Sequence, residues 1–163
     1  MTPVSLLIRH NLRKMSRSSA WLFLFPVFFI AAWALLSWLV GLISGWTVLA
    51  KRFRHDRSFY DEMWGFQSAK MRFNVHYGNC LSIGADVSGL YLAVFPIFRI
   101  GHPPLLIPWA EISVSQGDSG LVFKKRELHL GRQEAIPFRI SKSLAGKVRG
   151  AAGNAWPVEI IGA

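Results

Sequence analysis

The hydrophobic residues of the chain are concentrated in one long segment near its N-terminus. Residues 18–50 are 33 consecutive residues without a formal charge, and Lys or Arg residues flank them on both sides. One transmembrane helix needs about 20 apolar residues, whereas two crossings need roughly 40 and a turn. A cleaved signal peptide has a shorter apolar core, of about 7 to 15 residues. The pattern therefore predicts a single, retained transmembrane helix over residues 18–50.

The segment before the predicted helix, residues 1–17, is basic and amphipathic. Its apolar residues recur at helical spacing with four cations between them. Two interpretations remain open. The segment either lies flat on an anionic membrane surface or is a polar lead-in to the transmembrane helix.

Two small residues in the predicted transmembrane helix, Gly41 and Gly45, have the spacing that lets two membrane helices approach closely. This spacing predicts a homodimer through the helix, and the alternative is a helix surrounded by lipid. Trp21 and Trp46 stand near the two ends of the segment, where indole rings favour the membrane interface.

Short alternating segments fill most of the remaining chain. Apolar and polar residues alternate with a period of two, the period of a half-buried strand, in residues 71–77, 81–85, 90–94, 112–115, 128–130 and 136–140. Turn-forming residues separate them at 77–79, 86–89 and 116–120. The pattern predicts an antiparallel sheet built from hairpins.

A short helix is predicted after the last strand, over residues 141–150, with Ser141 as N-cap and with Leu144 and Val148 on one face. The predicted fold is α+β, with one N-terminal transmembrane helix, a small antiparallel β domain and a short C-terminal helix. The β domain is a curved sheet or a partly open barrel. The predicted boundaries are 18–50 for the transmembrane helix, 51–69 for a juxtamembrane linker and 70–163 for the β domain.

The charge of the chain changes this picture by suggesting a partner. The formal charge is +10, and residues 51–163 hold fifteen Lys or Arg against nine Asp or Glu. Four Lys or Arg precede the helix and four follow it directly, so the positive-inside rule leaves both orientations open. The surplus in residues 51–163 suits the anionic inner leaflet and favours a cytoplasmic β domain. Candidate contacts with an anionic surface are Lys51, Arg52, Arg54, Arg57, Lys124, Lys125, Arg126 and Arg132. The alternative is a basic face that only solvent contacts.

A proline-rich stretch between the third and fourth strand segments is the second candidate surface. Pro103, Pro104 and Pro108 lack amide donors, so this stretch cannot join the centre of a sheet on that side. It is either a stiff loop pinned onto the core or an apolar surface offered to a partner. The candidate partner residues are Pro103, Pro104, Leu105, Leu106 and Trp109.

The sequence predicts neither a catalytic nor a metal site. The five histidines are scattered without metal-ligand spacing, and the only cysteine is Cys80. Residues 117–120 match four letters of a serine-protease nucleophile motif but suit a hairpin turn better. The sequence shows neither a base-stacking platform nor a reading helix, so we do not expect nucleic acid as a partner. We expect a protein without cofactor that is not an enzyme.

The chain resembles a group of uncharacterised bacterial membrane-anchored proteins with a pleckstrin-homology-like or GRAM-like β domain. The resemblance covers about residues 60 to 150 and rests on residues 89–92, 98–109 and 111–112. It implies a curved antiparallel sheet with a terminal helix, in a single-pass protein of the bacterial inner membrane, and it implies no activity. The phosphoinositide-binding motif of eukaryotic pleckstrin-homology domains is not matched.

These patterns predict a membrane-anchored, non-catalytic binding module. Its basic β domain would contact anionic lipid headgroups or a membrane-protein partner. The alternative is an envelope-associated enzyme with an unrecognised active site.

Overall fold

The computed structural model describes residues 3–115, 125–157 and 159–160, which divide into two compact units, Met1–Leu36 and Ser37–Ala163. The described helices are α1 (Pro3–Ser44), α2 (Trp46–Phe53) and α3 (Lys142–Ala152). The described strands are β1 (Met63–Lys70), β2 (His76–Ala85), β3 (Gly89–Val94), β4 (Leu105–Pro108), β5 (Ile112–Ser115), β6 (Lys125–Leu130), β7 (Ile136–Ser141) and β8 (Glu159–Ile160).

The first unit consists of the larger part of α1, the helix that begins at Pro3 and ends at Ser44. Within the described residues, Leu24–Ser44 is the one helical segment that is long and apolar enough to cross a membrane, by length and composition. The basic segment 1–17 belongs to the same helix from Pro3 on, and its side chains lie outside the described part.

The apolar helix ends earlier than predicted, at Ser44 rather than at residue 50. Gly45 has a φ of +85°, a conformation that glycine adopts at little cost, and a second helix begins at Trp46. Trp46 is buried together with Leu49 and Phe53, so the prediction that it lies at a membrane interface is wrong. These residues belong to the core because the apolar face of α2 packs against β4.

The sheet has the order β4-β3-β2-β1-β7-β6-β5-β8, and its neighbours are antiparallel except for a short parallel pairing of β5 with β8. Apolar side chains on one face of the sheet form the core with α2 and α3, and α3 packs against β2, β6 and β7. The predicted antiparallel sheet followed by a C-terminal helix is confirmed.

Most of the predicted strands are confirmed, and one is wrong. Residues 81–85, 90–94, 112–115, 128–130 and 136–140 lie in β2, β3, β5, β6 and β7, respectively. Residues 71–75 instead form the turn between β1 and β2, in which Phe73 has a φ of 54°. Phe73 is exposed beneath the Arg72 guanidinium, so its apolar character does not mark a core position.

The predicted linker, residues 51–69, is folded. Its beginning lies in α2 and its end in β1, which pairs with β2 and has two register shifts. The predicted turn at 77–79 is also wrong, because β2 continues through it and the Asn79 amide donates to Ser68 Oγ.

The C-terminal helix and one tight turn follow the sequence prediction. Ser141 Oγ accepts a hydrogen bond from the Leu144 amide at 3.2 Å, and Leu144 and Val148 are buried. Asp86 Oδ1 accepts from the amides of Ser88 and Gly89 in the β2–β3 turn. The predicted turn at 116–120, with its protease-like residues 117–120, lies outside the described residues.

Candidate functional site

The end of α1 packs directly on the β3–β4 connection, residues 95–104. A β-carbon on Gly41 would lie 2.6 Å from the carbonyl oxygen of Gly101, and one on Gly101 would lie 2.8 Å from the Trp38 Cα. Gly101 has a φ of +78°. The two glycines therefore let the helix and the loop backbone touch, and we call this contact the helix–loop junction.

Hydrogen bonds fix the same junction. The Ser37 hydroxyl lies 3.1 Å from the Phe98 carbonyl oxygen and 2.9 Å from that of Ile100, and it donates its single proton to this pair. The loop itself is a tight turn, since the Phe98 amide donates to the Phe95 carbonyl at 2.8 Å. The Trp46 indole donates to the Pro103 carbonyl at 2.8 Å.

A chain of buried polar groups lies beneath the junction. The Tyr77 hydroxyl oxygen is 2.8 Å from Ser44 Oγ and 2.9 Å from His102 Nε2. Ser44, Tyr77 and His102 are at most 5% exposed. His102 lies in the β3–β4 loop, but its side chain is buried rather than at the surface. Its ring packs edge-on against Trp46, with centroids 5.3 Å apart.

The surroundings of His102 set the tautomer of its ring. His102 Nδ1 lies 3.2 Å from the Ile100 carbonyl oxygen, which can only accept, so the neutral ring carries its proton there. The Tyr77 hydroxyl donates to Ser44 Oγ and also lies 2.9 Å from the unprotonated His102 Nε2, and the Ser44 hydroxyl donates to the Gly41 carbonyl oxygen at 3.3 Å. Each of the three groups is satisfied in this arrangement, as buried polar groups require.

Burial shifts the pKa values of two of these polar groups, His102 and Tyr77. Burial lowers the pKa of His102 below its ordinary value, and hydrogen bonds to the Ile100 and Phe98 carbonyls offset part of that shift. Burial raises the pKa of Tyr77 well above its ordinary value, and the Ser44 hydrogen bond opposes that shift. Both side chains are therefore neutral near pH 7. The hydrogen-bonded groups connect α1 to the sheet without a buried charge.

Several of the predicted surface cations are engaged within the protein. Arg52 lies 3.6 Å from Glu111 Oε1 and 3.5 Å from Glu134 Oε2. Arg132 donates its backbone amide to Glu111 Oε2 and its side chain to the Ala110 carbonyl. Arg54 pairs with its neighbour Asp56 at 2.9 Å. These side chains are exposed, so each ion pair contributes little to stability.

Two predicted cations remain available. Lys51 and Arg57 are exposed and have no ion pair among the described residues. Arg126 is half-buried in β6. Lys124 and the Lys125 side chain lie outside the described part of the chain. Among the described residues, the predicted cations therefore do not form one cluster.

The predicted partner stretch is largely internal. Leu105 and Trp109 are buried, and the Trp109 indole donates to the Asp86 carbonyl at 2.7 Å. Residues 105–108 form strand β4 at one edge of the sheet, as the missing proline amides predict. The stretch is pinned onto the core, and the partner-surface hypothesis is left with the half-buried Pro103, Pro104 and Leu106.

Both glycines of the predicted dimer spacing face the chain's own residues. Gly41 meets Gly101, and a β-carbon on Gly45 would lie 2.6 Å from Ile136 Cδ1. The close approach that this spacing allows is used within one chain. Helix dimerisation stays a prediction, and it would need another face of α1.

A cavity of about 570 Å³ is lined by Trp109, Glu111, Arg132 and Trp156, among others. The Trp156 indole nitrogen is buried and has no hydrogen-bond partner in the described part. None of the described groups with a shifted pKa lines this cavity. No group of three His, Cys, Asp or Glu side chains is placed to hold a metal ion within residues 3–115, 125–157 and 159–160.

The sequence prediction missed the most exposed part of the junction. Ile97 and Ile100 in the β3–β4 connection are 66% and 48% exposed, with exposed Arg99 between them. Two isoleucines beside a proline and a glycine, outside any alternating segment, were the available signal.

No family of known proteins, no curated protein and no solved structure matches the chain.

Proposed function

We propose that this chain is a membrane-anchored, non-catalytic binding module whose basic β domain contacts anionic lipid headgroups. It is a single-pass protein of the bacterial inner membrane, with the β domain on the cytoplasmic side. The observation that carries the proposal is the surface of α1. Between Leu24 and Ile43, thirteen large hydrophobic side chains are exposed.

Water is a poor solvent for such a surface. Soluble monomers rarely expose an apolar patch larger than a few hundred Å². Phe25 and Phe28 are each more than 70% exposed on one helix that contains no charged residue from Ser18 onward. Lipid solvates these side chains, and the helix satisfies its own backbone groups, as a spanning segment must.

The cations near the end of α1 supply the headgroup contact. Lys51 lies on α2, which follows α1 after the single residue Gly45, and Arg57 follows α2 in the chain. Both side chains are exposed and lack an ion pair among the described residues. A cation near an acidic membrane surface contributes about 1 kcal/mol of binding free energy.

The architecture supports a pleckstrin-homology-like or GRAM-like identity for the β domain. Seven consecutive strands pair antiparallel in one sheet, and a helix follows the seventh strand. That arrangement is what the resemblance implies for residues 60 to 150.

Lipid selectivity of the reconstituted full-length protein tests the proposal. Electron paramagnetic resonance of spin-labelled lipids measures how much of each lipid is immobilised beside the protein. We expect phosphatidylglycerol to be enriched over phosphatidylcholine, and the enrichment to fall in the double variant Lys51→Glu, Arg57→Glu. One lost contact of about 1 kcal/mol weakens binding about fivefold at that site.

The matched control is Lys147→Glu, which reverses an exposed cation on α3. Equal loss of selectivity in this variant would mean that only net charge matters. Equal enrichment of the two lipids beside the parental protein would reject the headgroup contact. A protein that stays in the aqueous fraction after detergent-free extraction would reject the anchor as well.

The competing proposal is an envelope-associated enzyme with an unrecognised active site. A deep cleft lined by polar groups with perturbed pKa values would favour it. The cavity is lined by Glu111 and Arg132, but the Glu111 carboxylate accepts from the Arg132 backbone amide and the Arg132 side chain donates to the Ala110 carbonyl. The binding module is therefore the function that the geometry supports best. A membrane-protein partner is the alternative to lipid headgroups on the same surface.

A further inference from the structure

We propose that the β3–β4 connection inserts its tip, Ile97 to Ile100, into the interfacial layer of the bilayer beside α1. This inference rests on the proposed function, because it requires α1 to be the membrane anchor. The tip would then be a second membrane contact, made by the β domain itself and independent of Lys51 and Arg57.

The junction sets the depth of the tip. Ser37 binds the Phe98 and Ile100 carbonyls, and Gly41 touches Gly101. Ser37 and Gly41 lie about 10 and 5 Å along the helix axis from Ser44, at about 1.5 Å per residue. The candidate span extends to Ser44. A loop fixed beside its last two turns therefore lies at the level of the headgroups and the outer acyl chains.

The exposed side chains of the tip suit that layer. Ile97 and Ile100 are exposed apolar residues in and directly after the helical turn Pro96–Phe98. Arg99 between them has an apolar stem and a charged end, so it can lie in the interface while its guanidinium reaches phosphate. Phe66 is 71% exposed beside the turn, with its ring 4.8 Å from that of Phe95.

The tip is also preorganised for insertion. Gly101 adopts positive φ, Ser37 holds two loop carbonyls, and the Phe98 amide closes the turn on Phe95. Insertion then costs little loop entropy, because the turn is already ordered in the folded chain. Burying both isoleucines contributes favourable transfer free energy of the kind that drives interfacial binding.

Spin-label depth measurements on the full-length protein test the inference. Single cysteines replace Ile97, Ile100, Val87 and Phe29 in turn, in a Cys80→Ser background, and each labelled protein is reconstituted in phosphatidylcholine–phosphatidylglycerol vesicles. Val87 is the matched control, since it is 75% exposed in the turn at the opposite end of β3. Phe29 reports on the anchor. Collisions with oxygen, which favours lipid, and with a water-soluble nickel complex give the depth of each label.

We expect labels at 97 and 100 to favour oxygen, as the Phe29 label does, and the Val87 label to favour nickel. Nickel-accessible labels at 97 and 100, with a lipid-exposed Phe29 label, would overturn this inference and leave the anchor intact. A nickel-accessible Phe29 label would overturn the proposed function as well. Labels at 97 and 100 that are shielded from both reagents would also overturn the insertion of the tip, since a protein partner would then cover it.

Discussion

Gly41 of α1 and Gly101 of the β3–β4 connection are in backbone contact, so that a β-carbon on Gly41 would lie 2.6 Å from the Gly101 carbonyl oxygen. Real β-carbons do not approach a backbone oxygen this closely. The contact joins the last turns of the apolar helix to the sheet, and two residues without side chains make it possible.

We expect Gly41→Ala to destabilise the folded chain, because the loop backbone has to move to admit the methyl group. Overpacking of this kind costs about 1–3 kcal/mol, which lowers the thermal unfolding midpoint by about 2–4 °C per kcal/mol in a chain of this size. Thermal unfolding of the full-length protein in detergent measures the shift.

The control for this variant is Gly146→Ala in α3. A β-carbon on Gly146 meets nothing within 4 Å, and alanine in a helix interior is more stable than glycine by about 0.5–1 kcal/mol. We expect this variant to raise the midpoint. A midpoint of Gly41→Ala that stays unchanged or rises, as in Gly146→Ala, would show that the junction is looser than its distances indicate.

Tyr77→Phe tests the buried polar chain. The substitution removes the hydroxyl between Ser44 and His102, and leaving buried groups unsatisfied costs about 1–3 kcal/mol. Tyr60→Phe is the matched control, since Tyr60 is 91% exposed. We expect the midpoint of Tyr77→Phe to fall well below that of Tyr60→Phe. Similar midpoints would mean that the hydroxyl contributes no net stability.

The depressed pKa of His102 predicts a loss of stability in mild acid. The unfolded chain binds a proton near the ordinary pKa of 6.5, whereas the folded chain binds it only at lower pH. Stability from this group is complete above about pH 6.5 and falls as the pH drops towards the folded pKa. Unfolding by denaturant, measured from pH 7.5 downwards, gives the slope.

His102→Gln removes the titrating group and keeps an acceptor for Tyr77. We expect this variant to be less stable at pH 7.5 but to lose less stability per pH unit below 6.5. An unchanged acid slope would assign the effect to other groups.

Truncation tests whether the predicted linker belongs to the folded domain. A chain that begins at residue 60 lacks Trp46, Leu49 and Phe53, all of which lie in the core. Losing a buried tryptophan alone costs about 3–5 kcal/mol, so we expect this fragment not to fold. A chain that begins at Ser37 keeps the second compact unit, and we expect it to fold in detergent. Equal near-ultraviolet circular dichroism for both fragments would contradict this.

The parts of the fold that the sequence predicts correctly are those that a local pattern determines. Strand β3 and helix α3 follow from period-two alternation and from a serine cap. Strand β1 was missed because its two register shifts break the alternation. The helix end at Ser44 was missed because the hydrophobicity of residues 45–50 serves the domain core rather than the apolar helix.

The junction was not predictable from local patterns. Tyr77 lies 33 residues from Ser44 and 25 from His102 in the sequence, so only the folded sheet brings them together. His102 precedes two prolines, and such a context is typical of an exposed loop. The predicted cations illustrate the same limit, since Arg52 and Arg132 share Glu111 only after folding.

The outer edge of β4 is closed to other chains. The His55 amide donates to the Pro104 carbonyl at 2.8 Å, Arg54 forms a bridge with Leu105, and Pro108 ends the strand without an amide hydrogen. An unpaired edge strand is a template for aggregation. Copies of this protein that are confined to a membrane, as we propose, would therefore collide at this edge without joining their sheets into larger assemblies.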